Sequence, residues 1–151
     1  MELSKKTKEY WQEKDWEDLE KAGSIAELFI VAQRIIERME KPLAQVCGPI
    51  STGGKGSVEA NLHAFNETIK ELHEQGLSVF DQMPFELPMK KLREKFSPNE
   101  YFESILTDFY HPLFESGAIS RFYFMPDWQS SKGAKWEHEK AKELDIEIIY
   151  L

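Results

Sequence analysis

A chain of 151 residues, 41% hydrophobic and 30% charged, is long enough for one globular domain that buries roughly 70% of its unfolded-chain surface, which excludes disorder throughout. Its 27 acidic residues outnumber 19 Lys and Arg, for a net charge of −8, the wrong sign for gripping an extended nucleic acid over a broad face. The single cysteine, Cys47, excludes an intrachain disulfide and points to a reducing cytoplasm, and the apolar stretch from Ile25 to Ile36, interrupted by Glu27, Gln33 and Arg34, falls short of the ~20 apolar residues of a membrane span.

In chain order, Trp11, Trp16 and Leu19 sit in a strongly charged segment. Ile25, Leu28, Phe29, Ala32, Ile35, Ile36 and Met39 then repeat at helical spacing, between Gly23 and Pro42. This amphipathic stripe predicts a helix that packs on the body of the domain, or alternatively an oligomer contact. Residues 1–42 thus read as a helical N-terminal extension, and 43–151 as the main domain. Leu43 to Cys47 reads as a strand, Gly48 to Gly56 as a loop, and Val58, Leu62, Phe65, Ile69 and Leu72 as one face of a helix stopped by Gly76. Leu77 to Phe80 is a second strand, and Asp81 to Pro88, with its two prolines, a loop. Tyr101, Phe102, Ile105, Leu106, Phe109, Tyr110 and Leu113 form another helical stripe. Arg121 to Met125 is a third strand, Ala134 to Leu144 a helix, and Ile146 to Tyr150 a fourth strand. Such alternation predicts an α/β fold of the flavodoxin-like or Rossmann-like type, a three-layer sandwich around a parallel sheet of four or five strands.

Ligands of such folds bind at the carboxyl ends of the strands, which here carry the loops Gly48–Gly56, Asp81–Pro88 and Pro126–Gly133. The first, rich in Gly, Ser and Thr, offers close backbone approach and free N–H groups before a helix, but it is neither a Walker A loop nor a dinucleotide Gly-x-Gly-x-x-Gly. In the last segment, Ala134, Glu137 or His138, Ala141 and Leu144 face the sheet, so Glu137 points inward with the apolar residues. A buried carboxylate costs free energy unless it is paired, hydrogen-bonded or protonated. With Ser131 as cap, Glu137 lies beyond the first turn, where the helix dipole would justify an acid. The four histidines show no spacing suited to a metal.

The run Cys47-Gly48-Pro49-Ile50-Ser51-Thr52-Gly53-Gly54, Asn61 on the next helix, and Gly133-Ala134-Lys135-Trp136-Glu137 with Ala141 together resemble the nucleoside 2-deoxyribosyltransferase superfamily. The resemblance covers about residues 43 to 151, looks closest to an uncharacterised bacterial and phage branch, and shares features with deoxynucleoside 5′-monophosphate N-glycosidases. It implies that Glu137 is the nucleophile that attacks the anomeric carbon, releases the base and forms a glycosyl ester. It further implies that Gly48 and Ser51, Thr52, Gly53 and Gly54 form the loop enclosing sugar and base, that Pro49, Ile50 and, on the next helix, Asn61 also bind substrate, that Ser131 is a sugar or phosphate ligand and that Gly133 is a backbone donor.

One position departs from the family. Sixteen residues before the nucleophile the family carries an Asp that serves the leaving group, and this chain has Arg121. Asp81, Glu86 and Asp127, each at a loop of the expected site, are the candidate replacements, with Glu86 also a binding residue and Trp128 an aromatic face for a base. The expected activity is cleavage or transfer at the N-glycosidic bond of a 2′-deoxynucleoside or its 5′-monophosphate, without metal or cofactor, in a cytoplasmic homo-oligomer. The alternatives are a non-catalytic nucleotide-binding or sensing module and an oligomeric scaffold built on the N-terminal helices.

Overall fold

The computed structural model describes residues 2–97 and 103–151. Three helices open the chain, α1 (Lys5–Tyr10), α2 (Glu13–Lys21) and α3 (Ile25–Arg38). Gln12 and Asp15 form a reciprocal capping box at the start of α2, and Asp15 also meets Arg38 and Arg34 of α3. Burial pushes the Asp15 carboxyl up, but these two guanidinium groups and the Gln12 N–H outweigh it and hold it below its ordinary value. Ser24 caps α3 by accepting from the Glu27 N–H, and the stripe Ile25, Leu28, Val31, Ala32, Ile35 and Ile36 is buried. It packs within the chain, in one apolar cluster with Leu43, Phe85, Phe109 and Phe122. The body-packing expectation for this helix holds, and its apolar face is not available for an oligomer contact. Tyr101 and Phe102, assigned to the later helical stripe, lie outside the described residues.

The sheet is parallel, with order β1 (Leu43–Cys47), β2 (Ile119–Phe124), β3 (Glu147–Tyr150). Helix α4 (Val58–Glu74) covers one face, its Phe65, Ile69 and Leu72 packing with Ala44, Val46, Tyr123 and Met125. The opposite face, carrying Leu43, Cys47, Phe122 and Phe124, meets α3, α5 (Met83–Phe96), α6 (His111–Glu115) and α7 (Lys132–Glu143). The period of two along a strand puts Gln45 on this second face, between Leu43 and Cys47.

Two expectations are corrected. The expected strand Leu77–Phe80 makes a single parallel bridge, Val79 to Ala44, through Ala44 N–H to Ser78 O at 2.9 Å and Phe80 N–H to Ala44 O at 2.8 Å. Gly76 ends the α4 turn at φ +84° and Asp81 already begins the next one, so the intervening residues have length for one rung only. The described sheet therefore has three strands rather than four or five. Residues 83–88, expected as loop, are the start of α5. Pro84 falls in the first turn, where its missing N–H has no helical partner to lose. Pro88 lies inside the helix, at a cost of about 3 kcal/mol, which burial of Phe85, Met89 and Leu92 on one face offsets at about 1.5–3 kcal/mol per side chain. Two smaller differences are a π-helical turn at Leu106–Tyr110 and the start of α7 at Lys132, two residues earlier than expected. Among the described residues no helix is long and apolar enough to cross a membrane.

Candidate functional site

At the carboxyl ends of β1 and β2 lies a cavity of about 500 Å³. One wall is the loop after β1. Gly48 is obligatory there, since a Cβ would sit 2.4 Å from Met125 Sδ, and Gly53 and Gly54 both take φ +69° against Ser130 and Asn61. Asn61, 3% exposed, donates from Nδ2 to Ile50 O and Gly53 O, both at 3.0 Å, and accepts the Lys55 N–H at 2.7 Å. It is the internal brace of the loop and does not line the cavity. Two bonds tie the loop to the start of α7 and the turn before it, Gly54 N–H to Ser130 Oγ at 2.8 Å and Lys132 N–H to Thr52 Oγ1 at 3.1 Å.

Helix α7 forms the second wall. Ser131 Oγ accepts the Ala134 N–H, as a cap should, which fixes Glu137 in the second turn. Gly133 is thereby a first-turn residue whose N–H has no helical acceptor. Glu137 is 9% exposed, and its Oε2 accepts from Gln45 Nε2 across 3.1 Å. Burial pushes its carboxyl up to about 8, against the Cys47 thiol and the Gln45 amide, which favour the anion; the Glu86 carboxyl adds to the rise. Cys47 is fully buried, and burial first, then the Glu137 carboxylate, push its thiol far above the ordinary range. It is a core residue, not a nucleophile.

Helix α5 brings the second acid. Burial pushes Glu86 up to about 7, while Gln82 one turn earlier and Arg93 two turns later favour its anion and Asp81 opposes it. Tyr110 and Trp136 supply aromatic surface to the cavity, and Lys90, Arg93 and Lys132 supply positive charge.

Of the residues singled out in the sequence, Gly48, Ile50, Ser51, Thr52, Glu86, Ser131, Gly133 and Glu137 line one cavity. Pro49, Gly53 and Gly54 shape its loop from behind. Asp81 is not at the cavity: its Oδ2 accepts from Thr7 Oγ1 at 2.6 Å and its Oδ1 from the Met83 N–H at 2.9 Å, which joins α1 to the start of α5. Asp127 is likewise outside, its carbonyl accepting from Ser130 Oγ. Trp128 stacks on His138, ring centroids 4.3 Å apart, beside Tyr150 and Phe124, and His138 bonds Tyr150 Oη at 2.7 Å. Arg121 pairs with Glu147, its neighbour across the β2–β3 register, at 3.2 Å, and does not line the cavity either.

Gln45, Gln82, Arg93 and Tyr110 are site residues that the sequence reading did not assign. Gln45 carried one legible signal, an amide inside the otherwise apolar run Leu-Ala-Gln-Val-Cys. Gln82 was hidden by the expectation of a loop where α5 begins.

No curated protein and no solved structure matches the chain. A family model described as "Domain of unknown function (DUF4406)" matches residues 44–150, a span that holds the whole cavity and leaves α1 to α3 outside, and the chain belongs to that family.

Proposed function

We propose that this protein cleaves or transfers the N-glycosidic bond of a 2′-deoxynucleoside or its 5′-monophosphate, with Glu137 as nucleophile and Glu86 as the acid for the departing base, on a fold of the flavodoxin-like type. The observation that carries the reading is the placement of two carboxyl groups with raised proton affinity on separate walls of one cavity. A pair of carboxyls, one attacking and one protonating, is the equipment for glycosidic cleavage through an oxocarbenium-like transition state.

The step balances as follows. A Glu137 oxygen forms a bond to C1′ of the sugar as the C1′–N bond breaks, and the electron pair of that bond leaves with the base. Glu86 gives its proton to the base, which departs neutral. Water or a second base then attacks C1′, Glu86 takes up the proton of the attacking group, and Glu137 is released as carboxylate. Ionised Glu137 with protonated Glu86 is the productive arrangement. Between about 7 and 8 the pair holds one proton, more firmly on Glu137 than on Glu86, so the productive arrangement is the minor form of that one-proton state. Gln45 favours charge on Glu137, and Arg93, Lys90 and Lys132 suit a substrate phosphate.

Chromatographic detection of free base, from a panel of deoxynucleosides and their 5′-monophosphates, tests the reading beside Glu137→Gln. Release that disappears in the variant is expected. Nucleotide binding with no release from any member would replace the proposal with a sensing module.

A further inference from the structure

The turn of α5 that carries Glu86 is weak in its own bonds. Pro88 has no N–H to give to the carbonyl of Pro84, so the helical bond that would span Glu86 is missing. Gln82, at the N-cap position, makes no side-chain cap bond either. The turn is held from outside, by α1 and the residue that ends it. Thr7, 3% exposed, donates from Oγ1 to Asp81 Oδ2 at 2.6 Å, and the other Asp81 oxygen accepts the Met83 N–H that opens α5. Trp11, at the C-cap of α1, packs on Phe85 with ring centroids 5.5 Å apart. Thr7 and Trp11 are four positions apart in sequence, as are Asp81 and Phe85. One polar and one aromatic rung therefore join the two segments, and the second ends on the residue next to Glu86. Phe85 is fully buried while Glu86 lines the cavity, so the rungs reach the acid from the core side. The support is itself fixed: Asn66 Nδ2 donates to Glu2 O at 2.7 Å, Ser4 Oγ bonds His73 Nδ1 at 2.6 Å and Arg38 Nη1 donates to Tyr10 O at 2.9 Å.

We propose that Thr7 and Trp11 are positioning residues for the acid Glu86: acting through Asp81 and Phe85, they hold in place the proline-weakened turn from which it faces the cavity. This assignment rests on the glycosidic reading for the role of Glu86. An acid must stand within hydrogen-bond reach of the atom it protonates, and a displacement of about 1 Å costs on the order of 10²-fold in rate. The rest of the site does not depend on the rungs. Glu137 keeps its bond to Gln45, and Lys90 and Arg93 lie beyond Pro88, on a part of α5 anchored by the buried Met89 and Leu92. Loss of a rung therefore slows the chemical step and leaves substrate binding in place. Thr7 and Trp11 both precede the family-matched span 44–150, so the acid owes its placement to a segment outside that domain.

The experiment measures base release and hydrogen exchange in the full chain beside Thr7→Val, which keeps the shape and removes the donor, and Thr7→Ser, which keeps the donor. Thr7→Val is expected to lower kcat by ~10–100-fold with KM within about twofold, and to speed exchange at the Glu86 and Leu87 amides. Thr7→Ser is expected to restore both. Added to Glu86→Gln, Thr7→Val is expected to change release by less than about twofold, because the group it places is already gone. Trp11→Leu removes the aromatic rung and is expected to repeat the pattern, so a misfolded variant at one position leaves the other decisive. An unchanged kcat in Thr7→Val, an equal loss in Thr7→Ser, a full further loss on top of Glu86→Gln, or unaltered exchange at Glu86 and Leu87 overturns the assignment. Exchange at those two amides as fast in the unmodified chain as at the exposed Lys55 and Gly56 does so without any variant. Faster exchange in Thr7→Val, with no release from any nucleoside by the unmodified chain, upholds the hold on α5 and overturns the glycosidic reading. Release that needs Glu86 and is indifferent to Thr7 and Trp11 does the reverse.

Discussion

Gln45 Nε2 donates to Glu137 Oε2 across 3.1 Å and 92 positions of sequence, joining the middle of β1 to the second turn of α7. Both side chains are buried among apolar neighbours. The bond fixes where the carboxylate points, and among the described residues the Gln45 Oε1 has no partner of its own, so the amide is spent on Glu137. A carboxyl in this position lowers stability for the sake of reactivity, and the cost can be measured.

Glu137→Gln is expected to stabilise the protein at neutral and higher pH. The carboxyl titrates at about 8 in the fold against 4.5 ordinarily, so unfolding between those values releases a proton. Stability contributed by the protonated form is complete below about 4.5 and is lost as pH rises toward 8. The variant does not titrate there. Its advantage should be near zero at pH 4 and grow to a few kcal/mol, on the order of 1.4 kcal/mol per unit of pH crossed, at pH 8. Urea unfolding at the two pH values checks this, and an advantage independent of pH would refute it.

Gln45→Leu removes the donor that favours the Glu137 anion. The carboxyl then holds its proton to higher pH, and the acidic limb of the rate profile moves up by about one unit or more, as loss of a charge-assisted bond worth ~1.5–3 kcal/mol requires. At pH 7 turnover falls at least about tenfold, and raising the pH recovers part of it. A uniform loss at every pH would mean that Gln45 only supports packing.

Glu86→Gln separates the two acids. Loss of the proton donor lowers base release by ~10²–10⁴-fold. Because the Glu86 charge is one of the groups raising Glu137, the remaining acidic limb moves down. A pH series of initial rates reads both effects in one experiment, and an unchanged limb would show that the two carboxyls do not interact.

How much of this was legible in the sequence follows from how local each cause is. The stripe from Ile25 to Met39, the strand Leu43–Cys47 and the inward face of α7 are written in periodicity, because burial of one face is a local pattern. The Ser131 cap placed Glu137 past the first turn before any coordinates were needed. The start of α5 was not legible, because Pro84 and Pro88 speak for a loop by propensity and the burial of Phe85 and Leu92 that overrides them is tertiary. For the same reason Asp81, Glu86 and Asp127 were equal candidates in sequence. Only Glu86 shares the helix face that reaches the cavity, whereas Asp81 is drawn off by Thr7, from a helix that the domain reading had set apart. Trp128 was read as a base-stacking face, and its partner turned out to be His138, ten residues on.

Asn61→Ala tests whether the loop after β1 is built from within. The side chain makes three bonds to main-chain groups of residues 50, 53 and 55, and the alanine leaves the Lys55 N–H and two carbonyls without that partner. Each such group costs about 1–3 kcal/mol if it stays buried. The loop is instead expected to open, since Lys55 and Gly56 at its tip are exposed and water can reach the freed groups there. The global loss is then limited to about 1–2 kcal/mol, while residues 50–56 lose hydrogen-exchange protection and the wall holding Ser51 and Thr52 is no longer fixed. Base release should fall through KM more than through kcat, because Glu137 and Gln45 lie on α7 and β1 and keep their bond. Unchanged exchange in the loop would show that its two ties to the α7 side, at Gly54 and Thr52, are sufficient without Asn61.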